Sequence, residues 1–231
     1  MLKTYFDTWF TVMARPILFF ARLKEEAWQE QSLTFLLSGT WLLAVVMALG
    51  IFLVQFLPIG STLLVEVTGW KLLLVAPVIL TLGLVFYLIT LLILGGLLVL
   101  GVGCAFYMLG VLLHGLGMLA RGKGSLNRMV QSSFYSSAII LSGIFPVILA
   151  VLTRYGLLEL SLFRVGFNLV VGLTAIFAYG LWAVALRKNY GVGKWQAFTA
   201  ALVPALGLLI FLLAFDKIGL ERLDGWIAPL K

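Results

Sequence analysis

The chain has 231 residues, of which 63% are hydrophobic and only 11% carry charge. Soluble domains average roughly 45–50% and 25%, so there is too little polar material here to shell a soluble domain of this size. A single cysteine, Cys104, excludes a disulfide scaffold, and the scarcity of charge excludes a disordered tail. The sequence predicts an all-α, polytopic integral membrane helix bundle.

The chain divides into an N-terminal segment (1–32), a membrane bundle (33–215) and a short tail (216–231). In the first segment Leu2, Tyr5, Phe6, Trp9, Phe10 and Met13 recur at helical spacing. Pro16 interrupts them, and Ile17, Phe19, Phe20 and Leu23 follow beside Arg15, Arg22 and Lys24. A Trp/Phe stripe with basic neighbours predicts an amphipathic helix lying in the headgroup plane. These mixed, charged residues do not predict a cleaved leader. The pair Glu25-Glu26 lacks the histidine-bearing motifs of intramembrane proteases, and with Glu30 it reads as the solvated end of the N-terminal helix.

A spanning helix needs about 20 apolar residues. Five runs meet that length: 33–57, ending at Pro58, then 72–119, 130–153, 165–186 and 197–215. A polar-leaning loop with Gly60, Ser61, Glu66, Gly69 and Lys71 separates the first two. The 72–119 run would be about 72 Å long as one helix, more than twice a ~30 Å hydrocarbon core. A turn at Gly95-Gly96, or a kink at Pro77 and Gly83, would let it cross twice. With one crossing, ten Lys and Arg lie on the N-terminal side and six on the other; with two, the split is nine to seven. The positive-inside rule therefore favours five spans with a cytoplasmic N-terminus, and six spans are the alternative. Part of 72–94 would then be re-entrant or interfacial.

Candidate functional residues are few. Gly96, Gly103, Gly110 and Gly117 recur every seven residues, with Tyr107 and His114 on the same face. Small residues let helix backbones approach in lipid, so this stripe predicts a packing seam, within the bundle or between protomers. His114 is the only histidine, and a metal site needs three or four ligands. No metal or other cofactor is expected. No Walker loop, nucleophile elbow or metalloprotease helix occurs, and no catalytic residues are expected. Asn168, Ser136 and Ser137 could line a polar path, although interhelical hydrogen bonding is the commoner use of such groups. The net charge of +7 comes from short basic clusters between apolar runs, which suit anionic headgroups rather than nucleic acid. The expected partners are the bilayer, further copies of the chain and other membrane proteins.

Three segments together resemble the Yip family, multi-pass membrane proteins named for interaction with Ypt/Rab GTPases. The first is Arg15-Pro16 with Phe19-Phe20. The second runs from His114 through Arg121 into Gly122-Lys123-Gly124-Ser125-Leu126, and continues through Tyr135, Ser136 and Pro146. The third joins Leu181-Trp182 to Tyr190-Gly191-Val192-Gly193-Lys194-Trp195 and Pro204. One departure is that the family's paired glycine before Lys123 reads Arg121-Gly122. The compact form is similar to bacterial members. The resemblance implies a non-enzymatic role in membrane organisation or partner scaffolding, in a bacterial cytoplasmic membrane. The rival expectation is a small permease or channel-like transporter.

Overall fold

The structure, a computed structural model, describes residues 2–65, 67 and 70–228. Glu66 and Gly69 of the polar loop lie outside the described residues, as does the end of the tail. The described chain is helical without strands. Two short helices, α1 (Leu2–Ala14) and α2 (Pro16–Arg22), precede α3 (Gln31–Ile51), which continues through a π-helical turn (Phe52–Phe56) into α4 (Leu57–Val65). Then come α5 (Lys71–Leu119), α6 (Leu126–Ser136), a 3-10 stretch (Ser137–Gly143) leading into α7 (Ile144–Arg154), α8 (Leu160–Tyr190) and α9 (Lys194–Ile227).

Five helical stretches are long and apolar enough to cross a membrane: Gln31–Gly60, Lys71–Leu119, Leu126–Arg154, Leu160–Tyr190 and Lys194–Ile227. This is a multi-pass membrane helix bundle. Five alternating passes bring residues 25–28, 114–128 and 187–194 to one end and residues 53–55, 154–155 and 226–228 to the other. The first group carries six Lys and Arg and the second only Arg154, so we call the first the basic end.

Three expectations are corrected. The 72–119 run lies in one continuous helix, Lys71–Leu119, of 49 residues, roughly 73 Å long, with no turn at Gly95-Gly96. Pro77 sits inside it near its start. Its glycines serve close approach instead. A Cβ on Gly83 would stand 2.7 Å from the Phe56 ring, and one on Gly95 would stand 2.6 Å from the Trp41 ring. The first span does not stop at Pro58, since Gly60 and Ser61 remain helical in α4. The tail beginning at Asp216 is a continuation of α9 as far as Ile227.

Pro58 explains the π-helical turn before it. Proline has no N–H, so the carbonyls four and five residues earlier lose their helical donor. Those carbonyls belong to Val54 and Leu53. Arg154 Nε donates to Val54 O at 3.2 Å, and Tyr155 OH donates to Leu53 O at 2.9 Å. Arg154 Nη1 also donates to Ala228 O at 2.6 Å, so one guanidinium ties α3, α7 and the end of α9 together.

The N-terminal helices pack on the bundle as well as facing outward. Tyr5, Val12 and Phe20 are buried, whereas Phe6 and Phe10 are exposed. Trp9 Nε1 donates to Ala138 O at 2.8 Å, and Tyr5 stacks on Phe35 with ring centroids 4.8 Å apart. The predicted stripe thus mixes a docked face with an outward one, and it omits Val12.

Candidate functional site at the basic end

The two glycine-basic turns meet. After α5, Arg121 takes a left-handed conformation (φ 60°), and Gly122 N–H donates back to Gly117 O at 3.0 Å. That bond closes a Schellman-type end on α5. Arg121 occupies the position where the resemblance expects glycine, and the backbone there is the kind glycine favours. Ser125 then caps α6, its hydroxyl accepting from Arg128 N–H at 3.2 Å. The second turn forms where α8 ends on Gly191 in the left-handed region (φ 65°), its N–H bonded to Arg187 O. Gln196 Oε1 accepts from Gly193 N–H at 3.0 Å as α9 begins.

Tyr190 holds these turns together. Lys123 N–H donates to Tyr190 O at 3.2 Å. The Tyr190 ring, 3% exposed, fills the space left by three missing side chains. A Cβ on Gly117 would stand 2.9 Å from that ring, and one on Gly124 would stand 2.7 Å from it. A Cβ on Gly122 would stand 2.5 Å from Tyr190 Cβ and 2.8 Å from Val192. The phenol reaches His114, whose Nδ1 is 2.5 Å from Tyr190 OH. His114 is therefore a hydrogen-bonding partner between α5 and α8. Among the described residues no three His, Cys, Asp or Glu side chains gather as a metal site.

A second layer surrounds this contact. Asn189 Nδ2 donates to Ser132 Oγ at 2.9 Å, and Ser133 Oγ donates to Phe106 O at 2.5 Å. The segment after α2 crosses over α6. Asn127 Nδ2 donates to Glu26 O at 2.7 Å, while Asn127 Oδ1 accepts from Trp28 N–H at 3.2 Å. Ser125 Oγ donates to Glu25 Oε1 at 2.5 Å, so Glu25 touches the first turn and does not end a helix. Trp28 packs against Tyr107 and Phe134, with centroids 5.5 and 5.4 Å apart. Of the first motif, Pro16 opens α2, and Arg15 is exposed beside it; Lys194 is exposed at the start of α9.

The heptad glycine stripe divides. Gly110 and Gly117 are buried; a Cβ on Gly110 would stand 2.9 Å from Val130 Cα. Gly96 and Gly103 would meet nothing within 4 Å, so they are not part of a seam within this chain. The intramolecular seam uses Gly83, Gly95, Gly110 and Gly117, because α5 changes neighbour from α4 and α3 to α6 and then α8.

The polar-path residues are not brought together. Ser136 and Ser137 are buried, and Trp182 Nε1 donates to Ser136 Oγ at 3.3 Å. Asn168 lies 14 residues from Trp182 on α8, about 21 Å along its axis. There Asn168 Nδ2 donates to Asp216 Oδ1 at 3.1 Å, and nearby Arg164 pairs with Asp224. Between α3, α5, the 3-10 stretch, α7, α8 and α9 lies a cavity of about 710 Å³, lined by Leu43, Phe106, Ile139, Pro146 and Phe211 among others. Neither Asn168, Ser136 nor Ser137 lines it.

Sequence reasoning missed Asn127, Asn189 and Arg154, and it quoted Tyr190 without a role. Tyr190 alone gave a signal, as a large residue directly before a left-handed glycine. In comparison with known proteins, the chain matches no family model, no curated sequence and no solved structure.

Proposed function

We propose that the protein is a non-enzymatic, membrane-organising scaffold of the Yip type, which associates with further copies of itself along the open flank of α5. In this reading it sits in a bacterial cytoplasmic membrane with the basic end and N-terminus facing the cytoplasm, as the charge asymmetry favours. Gly96 and Gly103 carry the proposal. Glycine in a helix interior costs about 0.5–1 kcal/mol relative to alanine, and nothing inside the chain offsets that cost at these two positions. Leu97, Leu100, Cys104 and Met108 form an exposed stripe beside them. A second α5 crossing there would gain the close backbone contact that small residues permit, and two-fold pairing would bring Cys104 near its own copy.

Cys104 supplies the test, because any disulfide-linked dimer of this single-cysteine chain must pass through it. Mild oxidation in native membranes is expected to give a covalent dimer, which Gly103→Leu suppresses. A chain that stays monomeric after oxidation, and runs as one copy in detergent, overturns the reading. Mutation-sensitive solute flux in proteoliposomes would replace it with the transporter reading.

A further inference from the structure

The N-terminal helices do not lie flush on the bundle. Between α1–α2 and α6 they leave a cleft of about 400 Å³ at the basic end, bordered by Arg15, Arg22, Lys24, Glu26, Gln131 and Tyr135. Three cations face one carboxylate, and none of the three joins an ion pair among the described residues. Gln131 lines this cleft at 2% exposure, and its side-chain oxygen has no hydrogen-bond partner. A buried acceptor left alone is a standing cost that a ligand carrying a donor removes.

We propose that this cleft binds a phosphate-bearing anion that also carries a hydroxyl group, most simply the headgroup of an anionic phospholipid of the phosphoglycerol kind. The two requirements come from different residues. Arg15, Arg22 and Lys24 attract the phosphate, and arginine suits phosphate oxygens through paired N–H donors. Gln131 takes the hydroxyl, the feature that separates a polyol headgroup from choline. Leu18 of α2, half-exposed, also lines the cleft and offers apolar surface to the glycerol and first acyl carbons. Glu26 opposes a second negative charge, which favours a phosphodiester over a more highly charged ligand. This site is independent of the association proposed for α5.

The test uses the full chain in neutral detergent. Its affinity is measured for short-chain phosphatidylglycerol, phosphatidylserine and phosphatidylcholine, and for soluble glycerol 1-phosphate. The expected order is phosphatidylglycerol over phosphatidylserine, with phosphatidylcholine weakest. The exposed pair R15Q/R22Q removes two charges, each worth about fivefold near a membrane surface, so phosphatidylglycerol affinity falls about thirtyfold. Gln131→Met should weaken phosphatidylglycerol and narrow its lead over phosphatidylserine to what Glu26 enforces against a second negative charge, while both still exceed phosphatidylcholine. R187Q/K188Q removes equal charge at the same end from residues that do not line the cleft, and should leave affinity within about twofold. If glycerol 1-phosphate binds as tightly as the lipid and responds to the same variants, the chemistry stands and the source is a soluble phosphate ester. Equal binding of phosphatidylcholine and phosphatidylglycerol overturns the proposal. An equal loss in R187Q/K188Q also overturns it, because attraction would then be a property of the whole end.

Discussion

The same substitution should have opposite effects at two glycines of this chain. In Gly124→Ala the new methyl would stand 2.7 Å from Tyr190 Cδ1 and 2.8 Å from the Asn189 carbonyl oxygen. Carbon contacts settle near 3.5–4.0 Å, so something must move by roughly 1 Å. The Tyr190 ring has little room to yield: it lies against Gly117 on another side, and its hydroxyl is held by His114. The Asn189 oxygen belongs to the backbone of α8. Overpacking of this kind costs about 1–3 kcal/mol. Gly96→Ala meets open space and gains helix propensity of about 0.5–1 kcal/mol in the single chain. Thermal unfolding of both variants in detergent, at dilution low enough to keep the chain monomeric, should move the midpoint down for Gly124→Ala and up for Gly96→Ala. At roughly 2–4 °C per kcal/mol for chains of this size, the two midpoints should lie several degrees apart. Equal midpoints, or a larger loss at Gly96, would refute the assignment of Gly124 to a closed contact and Gly96 to an open one.

Arg154→Leu leaves the Val54 and Ala228 carbonyls without their charged donor, and charge-assisted bonds are worth about 1.5–3 kcal/mol each. A fall in unfolding midpoint with protease cleavage appearing near residue 228 is expected, and Arg154→Lys should recover only part of the loss. Arg121→Gly relieves a left-handed residue and should raise stability by about 1 kcal/mol, read in the same unfolding assay. The Tyr5 phenol is pushed up to about 12 by burial against α3. Because its folded value lies above its ordinary one, it contributes stability fully below pH 10, and that contribution is lost as pH rises through about 12. Release of α1, followed by Trp9 fluorescence against a Trp9→Phe control, should therefore begin above pH 10 and shift upward in Tyr5→Phe.

The bundle was legible because its signal is compositional. Long uncharged runs separated by cations can only be helices threaded through lipid, and the two glycine-basic turns were readable from Gly122-Lys123-Gly124 and Gly191-Val192-Gly193. Their mutual packing was not. Tyr190 and Gly124 are 66 residues apart, and no local periodicity says that one fills the gap beside the other. The heptad stripe misled for a related reason. Seven-residue spacing keeps glycines on nearly one face of a straight helix, but what that face meets is set by the neighbours. Those change along the length of α5, so Gly110 and Gly117 are closed while Gly96 and Gly103 are open.

Proline and the charged ends show a second limit. Pro58 reads locally as a stop, yet the helix continues because Arg154 and Tyr155, about a hundred residues away, supply the missing donors. The tail after Asp216 reads as mixed charge, yet Asp216 and Asp224 pair with Asn168 and Arg164 across α8 and carry α9 onward. In both cases the deciding partner is remote in sequence and polar, and apolar periodicity holds no record of it.

The locking of the two basic turns around Tyr190 can be read through the only histidine in the chain. Selective nitrogen-15 labelling gives one imidazole spectrum, that of His114. Tyr190→Phe should shift its ring nitrogen resonances, while the distant Tyr155→Phe leaves them unchanged. A His114 spectrum that is identical in wild type and Tyr190→Phe would mean that the ends of α5 and α8 do not meet.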